Sequence, residues 1–291
     1  GSNGADITFD NGSTAISLAG FTTRGDLTLS TDAAIALTGH TVRGDLTVTS
    51  AAAISQSAAV TVSGTSNFTS TGSNSNITLS TDSNALTGAV SAATAGSSGD
   101  VTIDNGTTAL NLGTLTVNGD LSIRGGNGIT NSGVITVSGT SLFNSDVSAK
   151  VITLNSDNAM TGAVSITHTG SADVAIDNGT TALNLGTVGV GQNFSATSGG
   201  GITDSGVITV AGTATFVTDV NDIDIVLDSN NAITGALTFT TQTGGSNGAD
   251  ITFDNGSTAI SLAAFTTRGD LTLSTDAAIA LTGHTVTGDL T

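Results

Sequence analysis

The sequence has no Cys, no Pro, no Trp and no Tyr, and among its 291 residues there is one Met. Glu is missing as well, so all 23 acidic residues are Asp, and only five residues are basic, Lys150 and four Arg. Each absence removes a class of explanation. Without Cys there are no disulfides, thiolate nucleophiles or Cys-based zinc sites. With aromatics at 3%, a globular core built on large rings is excluded. Lacking Glu and nearly lacking Lys, the chain lacks the residues that fill exposed helix faces. A formal charge of −18 leaves nothing to neutralise phosphates, which argues against a nucleic-acid partner and against docking on an anionic membrane surface. Mean hydropathy is +0.25, yet no apolar run approaches the roughly 18 residues of a transmembrane helix. The polar, Gly-rich start does not read as a signal peptide.

What is present is repetition. Residues 1–47 return at 245–291, offset by 244, with two changes: Gly20 becomes Ala264 and Arg43 becomes Thr287. Gly1-Ser2 could pass for a cloning scar, but it recurs inside the chain as Gly245-Ser246 and therefore reads as native. The expectation is a single uncapped segment, 1–291, of a longer tandem array whose export signal, caps and anchor lie elsewhere. Phe9-Asp10-Asn11-Gly12-Ser13-Thr14-Ala15 recurs from Ile103, Ile176 and Phe253, at intervals of 94, 73 and 77. These divide the chain into superrepeats of roughly 9–102, 103–175, 176–252 and 253–291. Two further families keep step: Val60-Thr61-Val62-Ser63-Gly64-Thr65, again from Ile135 and Ile208, and Ala85-Leu86-Thr87-Gly88-Ala89, again from Ala159 and Ala232. Arg24-Gly25-Asp26-Leu27-Thr28 is followed 19 residues later by Arg43-Gly44-Asp45-Leu46-Thr47. Removing one such unit brings 94 to 75, level with the other intervals. Five, four and four units then make 13 in 244, about 19 residues each, and a short fixed period marks a solenoid.

Leu27 and Leu29 alternate with Thr28 and Ser30, and Ile35 and Leu37 resume the alternation after a turn, the two-residue period of half-buried strands. Gly and Asn cluster between such runs, where positive φ is needed. Asn-Gly is also a hairpin signal, but a closed meander would have to rebuild its pairing to accept a 19-residue insertion, whereas a stacked coil simply gains a turn. The predicted fold is all-β: a right-handed parallel β-helix (β-solenoid) with about 19 residues per coil and roughly 15 coils, its hand following from the right-handed rule for parallel connections. Missing Pro fits ladders that need every N–H. Scarce aromatics fit a narrow core filled by Val, Ile, Leu and Ala.

The recurring Gly-Asp-Leu-Thr-(Leu/Val), with a Gly- or Ala-rich turn and Ile-x-x-(Ser/Thr)-Gly as in Gly128-Ile129-Thr130-Asn131-Ser132-Gly133, resembles the filamentous-haemagglutinin-like repeats of two-partner-secreted and autotransporter bacterial adhesins. The resemblance implies a β-helix shaft in an exported cell-surface or extracellular fibre. The secretion domain of that family is absent from these 291 residues.

Several motifs suggest chemistry. Arg24-Gly25-Asp26, Arg43-Gly44-Asp45 and Arg268-Gly269-Asp270 spell an integrin-binding tripeptide, but Thr287, Asn118-Gly119-Asp120 and Ser98-Gly99-Asp100 show that only Gly-Asp is retained. Asp219, Asp222, Asp224 and Asp228 form the densest acid cluster; with Ile223, Ile225 and Leu227 inward, Asp222, Asp224 and Asp228 share the outer face, and Ca²⁺ takes several such oxygens. The matching residues Ala149, Val151 and Asn155 lack the acids, so solvated surface Asp is the plainer reading. Asp10, Asp104, Asp177 and Asp254 open Asp-Asn-Gly turns that Asx bonding explains without a cation. Gly125-Gly126-Asn127-Gly128-Ile129-Thr130 misses the calcium-binding nonapeptide by ending in Thr. The histidines His40, His168 and His284 are isolated, and no constellation of acid and base for glycoside cleavage is visible. Thr47/Thr49, Thr114/Thr116, Thr213/Thr215 and Thr238/Thr240 are too irregular along the chain for an ice-binding array. Sequons such as those at Asn67, Asn76 and Asn193 follow from composition. The expectation is a structural shaft without enzymatic activity, cofactor or membrane insertion, self-associating end to end or side by side into fibres at the bacterial surface, with contact to a host or neighbouring-cell surface left to regions outside these residues. The alternative is a shaft that itself binds cations or glycans through outward Asp, Asn and Thr.

Overall fold

A computed structural model of the chain describes residues 4–145, 149–168, 170–281 and 283–291; Gly1-Ser2 lies outside them. The described residues form short parallel strands joined by tight turns, with no helix long and apolar enough to cross a membrane. They divide into two compact units, Gly1–Val147 and Ser148–Thr291. Each is a parallel β-solenoid, and the chain makes about 14 turns of about 20 residues, as the two-residue alternation and short period predict.

In the first unit one sheet stacks Ile7–Asp10, Leu27–Thr31, Leu46–Ser50, Ser66–Ser73, Ala89–Ala95, Leu110–Val117 and Ile129–Asn131. The opposite sheet stacks Ile16–Ser17, Ile35–Thr38, Ile54–Ala58, Ile77–Leu79, Val101–Asp104, Leu121–Arg124 and Ser141–Asn144. A narrow third side carries Thr22–Thr23, Thr41–Val42, Thr61–Val62 and Ala85–Leu86. In the second unit Ile152–Leu154, Val174–Asp177, Phe194–Ser198, Ala214–Asn221, Leu237–Gln242 and Ile260–Leu262 make one sheet. Val164–His168, Leu183–Val190, Ile202–Asp204, Ile225–Leu227, Ile251–Asp254 and Leu271–Ser274 make the other.

Alternation sets which side chains face in. Leu27, Leu29, Ile35 and Leu37 are fully buried, while Thr28 and Ser30 face out. Each such aliphatic contributes roughly 1.5–3 kcal/mol. The core is less restricted to aliphatics than composition suggests. Six of the nine Phe are among the largest buried side chains. In the second unit Phe194, Phe216, Phe239 and Phe253 form a file with ring centroids 5.7–5.9 Å apart. Stacked turns bring a Phe of one turn onto a Phe of the next, as in the pair Phe216 and Phe239.

The superrepeats do not contain whole numbers of turns. From Ile7–Asp10, four turns of one sheet lead to Ala89–Ala95, and the next copy of the motif, Val101–Asp104, is on the opposite sheet. The interval of 94 is therefore four and a half turns rather than five. In the second unit Val174–Asp177 and its copy Ile251–Asp254 likewise lie on opposite sheets, three and a half turns apart rather than four. Counting by 19 hides this because turn length varies, from 19 between Leu27 and Leu46 to 26 between Ile225 and Ile251. The half turn is made where Ala89–Ala95 pairs with the eight-residue strand Leu110–Val117 and the register slips between Val90 and Ala92. Gly113 sits at the slip, where a Cβ would come within 2.3 Å of Ser91 Oγ. Leu183–Val190 repeats the device against Val164–His168, with Gly186 over Ser165 Oγ.

Candidate functional site

The Gly-Asp dipeptides, with counterparts in which another residue precedes the Asp or Asn, form short ladders where the chain enters a large sheet, first at the sheet of Ile7–Asp10 and then at the opposite one. Asp6 Oδ1 accepts the Asp26 N–H at 2.9 Å, Asp26 Oδ1 that of Asp45 at 2.8 Å, and Asp45 Oδ1 that of Thr65 at 2.7 Å. Further along the first unit, Asn76, Asp100 and Asp120 accept from Asp100, Asp120 and Thr140. In the second unit Asp224, Asp250 and Asp270 accept from Asp250, Asp270 and Asp289. Each carboxylate or amide thus caps the turn above it with a hydrogen bond, a charge-assisted one where the acceptor is Asp. The preceding Gly is needed because a Cβ on Gly44 would lie 2.1 Å from Asp26 Oδ1, and one on Gly269 2.4 Å from Asp250 Oδ1. Gly and Asp are retained together because the side chain of one turn occupies the space that the other residue leaves. Arg24 and Arg43 are exposed; Arg268 Nη1 donates to the carbonyls of Thr243 and Gly245.

A second ladder uses the Asn of Asp-Asn-Gly, whose role was not legible beforehand. Asn105, Asn178 and Asn255 are fully buried. Asn105 Oδ1 accepts the Leu86 N–H at 2.8 Å and its Nδ2 donates to the Leu86 carbonyl at 3.0 Å. Asn178 does the same to Met160 and Asn255 to Ile233. The side chain completes a rung that backbone would otherwise make, which ties the Asp-Asn-Gly family to the family beginning at Ala85. The Asp of the motif does what Asx bonding predicts: Asp10, Asp104, Asp177 and Asp254 each accept the N–H of the Gly two residues on, and that Gly has φ between 50° and 56°. Buried hydroxyls stack on the Asp-Asn-Gly turns at the same corner. Thr31 donates to the Gly12 and Thr14 carbonyls, Ser50 to Ala33 and Ser70 to Ala52, and the three lie in register.

The four clustered acids do not converge. Asp224 is the foot of the ladder that continues through Asp250 and Asp270 in the second unit. Asp222, in a turn with φ 56°, accepts the N–H groups of Gly248, Ser246 and Asn247 at 2.8, 3.0 and 3.3 Å. These bonds, Gly248 first, hold its carboxyl below the usual carboxylate range against partial desolvation, with Arg268 adding attraction. Asp228 offers its N–H to Asp204, and Asp219 Oδ1 lies over Gly199, 2.9 Å from where a Cβ would be. The strand here is only Ile225–Leu227, so the outer face expected from Asp222 to Asp228 is broken by the turn. Among the described residues no three His or Asp side chains gather as a metal site.

The remaining candidates separate similarly. His40 and His168 are buried, and His40 and His284 pack on Phe21 and Phe265. At the near-miss nonapeptide, Gly126 donates its N–H to the Gly106 carbonyl of the turn below. Asn67 and Asn76 are exposed, while Asn193 is bonded to Asp173 and Thr213. The Thr pairs are more ordered in space than along the chain: Thr28 lies opposite Thr47, and Ser30, Thr49 and Thr69 form one column. Unequal turn lengths conceal that column in the sequence.

Polar ladders around an apolar core define a repeat protein whose side-chain chemistry is directed at its own next turn. The chain belongs to the family described as "Repeats of unknown function (DUF5649)", whose model matches residues 24–93, 98–167 and 171–240. No curated protein and no solved structure matches it. The matched segments begin 74 and 73 residues apart, close to the intervals of the Asp-Asn-Gly motif. The first two begin on opposite sheets of the first unit, at Leu27–Thr31 and Val101–Asp104.

Proposed function

We propose that this chain is part of the structural shaft of a large repetitive bacterial cell-surface or extracellular protein, an adhesin stalk, fibre or matrix scaffold of filamentous-haemagglutinin-like type with a right-handed coil. One observation carries the reading: the groups that looked available for ligands are engaged from turn to turn. The Gly-Asp carboxylates cap the next N–H, and the motif asparagines replace backbone rungs. Such a chain acts mechanically, as a stiff acidic element that carries other functions or associates with copies of itself end to end or side by side. Catalysis, cofactors and nucleic acid have no part in this proposal. Cation or glycan binding along the shaft draws less support, because Asp222 and Asp224 already accept backbone hydrogen bonds.

Immunolabelling of intact cells of the source organism, with antibody to this segment, tests the location. Electron micrographs of the purified chain test the shape. Surface label and uniform rods are expected; label only after lysis, or compact globules, would overturn the proposal. Unchanged thermal unfolding in EDTA is the expected control against a cation-dependent shaft.

A further inference from the structure

We propose that the corner of the first unit carrying His40 is an acid-operated weak point, opening when the imidazole is protonated while the two large sheets beside it stay closed. His40 is 1% exposed, and neither Nδ1 nor Nε2 has a hydrogen-bond partner. Its ring packs on Phe21, one turn away, with centroids 4.8 Å apart at 56°. In the following turn Thr61 donates its N–H to the His40 carbonyl, and the preceding residue, Val60, is buried. A neutral imidazole tolerates such a site poorly and an imidazolium hardly at all, since a buried charge needs partners.

No such partner is at hand. The three turns stacked here, residues 16–24, 35–43 and 54–62, contain no carboxylate, and their only other charged side chains are Arg24 and Arg43, both exposed. Both would repel an imidazolium. Asp26 and Asp45, further round the turn, are occupied by the N–H groups of Asp45 and Thr65. Burial accordingly lowers the affinity of His40 for a proton below that of an ordinary imidazole. The sign follows by linkage: the unfolded or opened chain binds the proton more tightly, so the closed corner loses stability as pH falls below the ordinary imidazole value of 6.5.

The local structure is built to yield there first. The third side is held by two-residue strands, Thr22–Thr23, Thr41–Val42 and Thr61–Val62, whereas the flanking strands Leu27–Thr31 and Leu46–Ser50 pair over five residues. Gly39, just before His40, has φ 86°, a conformation glycine adopts without strain. Opening uncovers Val42 and Phe21 and frees short strand edges, which recruit other strands. Below the imidazole range the corner would thus become an adhesive, protease-sensitive spot. The pairing recurs one 244-residue period later, where Phe265 and His284 lie 5.2 Å apart at 56°.

Amide exchange, corrected for its intrinsic pH dependence, compares the chain at about pH 7.5 and about pH 5.5, a window in which imidazoles titrate and ordinary carboxylates do not. The expected result is an about tenfold or greater loss of protection at 40–43 and 60–62 at the lower pH, with 27–31 and 46–50 unchanged. In His40→Phe, which keeps a ring against Phe21 and removes the titration, the loss should vanish. Equal loss in wild type and His40→Phe, or no loss in wild type, overturns the proposal. Should His40→Phe not fold, nitrogen-15 imidazole spectra of the wild type decide. A His40 that stays neutral below the ordinary range supports the proposal; one that titrates at the ordinary value overturns it.

Discussion

Replacing Asn105 by Ala should remove a rung of the solenoid without removing any of its backbone. The Asn105 side chain satisfies both polar groups of Leu86, through bonds of 2.8 and 3.0 Å, and also donates to the Ala109 carbonyl at 3.0 Å. Leu86 is 1% exposed, so water does not replace what Ala removes. Ala109 is exposed, and water does replace that bond. Two buried orphan groups at roughly 1–3 kcal/mol each give an expected loss of about 2–6 kcal/mol. Asn11 is the internal control. It holds the same motif position, but its Nδ2 reaches only the exposed carbonyls of Thr14 and Ala15, and Asn11→Ala should cost less than about 1 kcal/mol. Asn105→Asp keeps the acceptor for Leu86 N–H and loses the donor to Leu86 O, so at neutral pH it should fall at least as far as Ala. A repeat array need not unfold in one step, so amide exchange at 85–87 belongs beside urea denaturation. Asn105→Ala and Asn11→Ala indistinguishable by both measures would refute the rung assignment.

Ser66 and Ser141 are both 1% exposed, with hydroxyls that have no partner, and the third copy of their position is Ala214. Ser66→Ala and Ser141→Ala should each stabilise by up to about 1 kcal/mol, read as a thermal midpoint raised by a few degrees; a lowered midpoint would count against it. The Asp222 carboxyl is held low by the Gly248, Ser246 and Asn247 N–H groups, so its contribution is present above the ordinary carboxylate pKa and disappears as pH falls through the depressed value. Amide protection at 246–248 should follow that course, and Asp222→Asn, which tolerates the left-handed turn, should abolish the pH dependence. Deleting residues 27–45 joins Asp26 to Leu46 and restores Arg-Gly-Asp-Leu-Thr. The shortened chain should fold with unchanged β-sheet signal per residue, whereas removing a ten-residue half of that turn should give an aggregated product.

Architecture was legible because it rests on periodicity. Leu27, Leu29, Ile35 and Leu37 announce inward positions by alternation alone, and the 19-residue recurrence of Gly-Asp-Leu-Thr announces the turn. Hydrogen bonds inside one turn were legible too, as in Asp104 to Gly106. Contacts between turns were not, because they depend on register. Asp26 and Asp45 looked like two copies of a surface motif until their stacking made one the acceptor for the other. Asn105 reads as a turn residue by propensity, and only its place over Leu86 makes it a buried rung. The acid cluster is dispersed by the same kind of contact. Proximity in sequence suggested proximity of carboxylates, but the φ of Asp222 sends that side chain to residues 246–248 of the following turn while Asp224 joins a ladder.

Half-integral repeats explain why an extra turn is harmless where an extra half turn is not. In a solenoid each strand must meet a strand of matching length and polarity directly above it. A whole added turn, such as the one ending at Asp45, puts every later residue back over the same side, so the inward pattern survives. Half a turn exchanges the two large sheets, and the strand that stood alone must then match a strand that runs on round the narrow side. The chain makes that exchange with special equipment: the seven-residue Ala89–Ala95 against the eight-residue Leu110–Val117, with Gly113 absorbing the slipped register. The interval of 94 differs from the shorter ones by one whole turn and keeps the half. Length can therefore vary by whole turns within a superrepeat, while in each unit the half turn moves the motif to the opposite sheet.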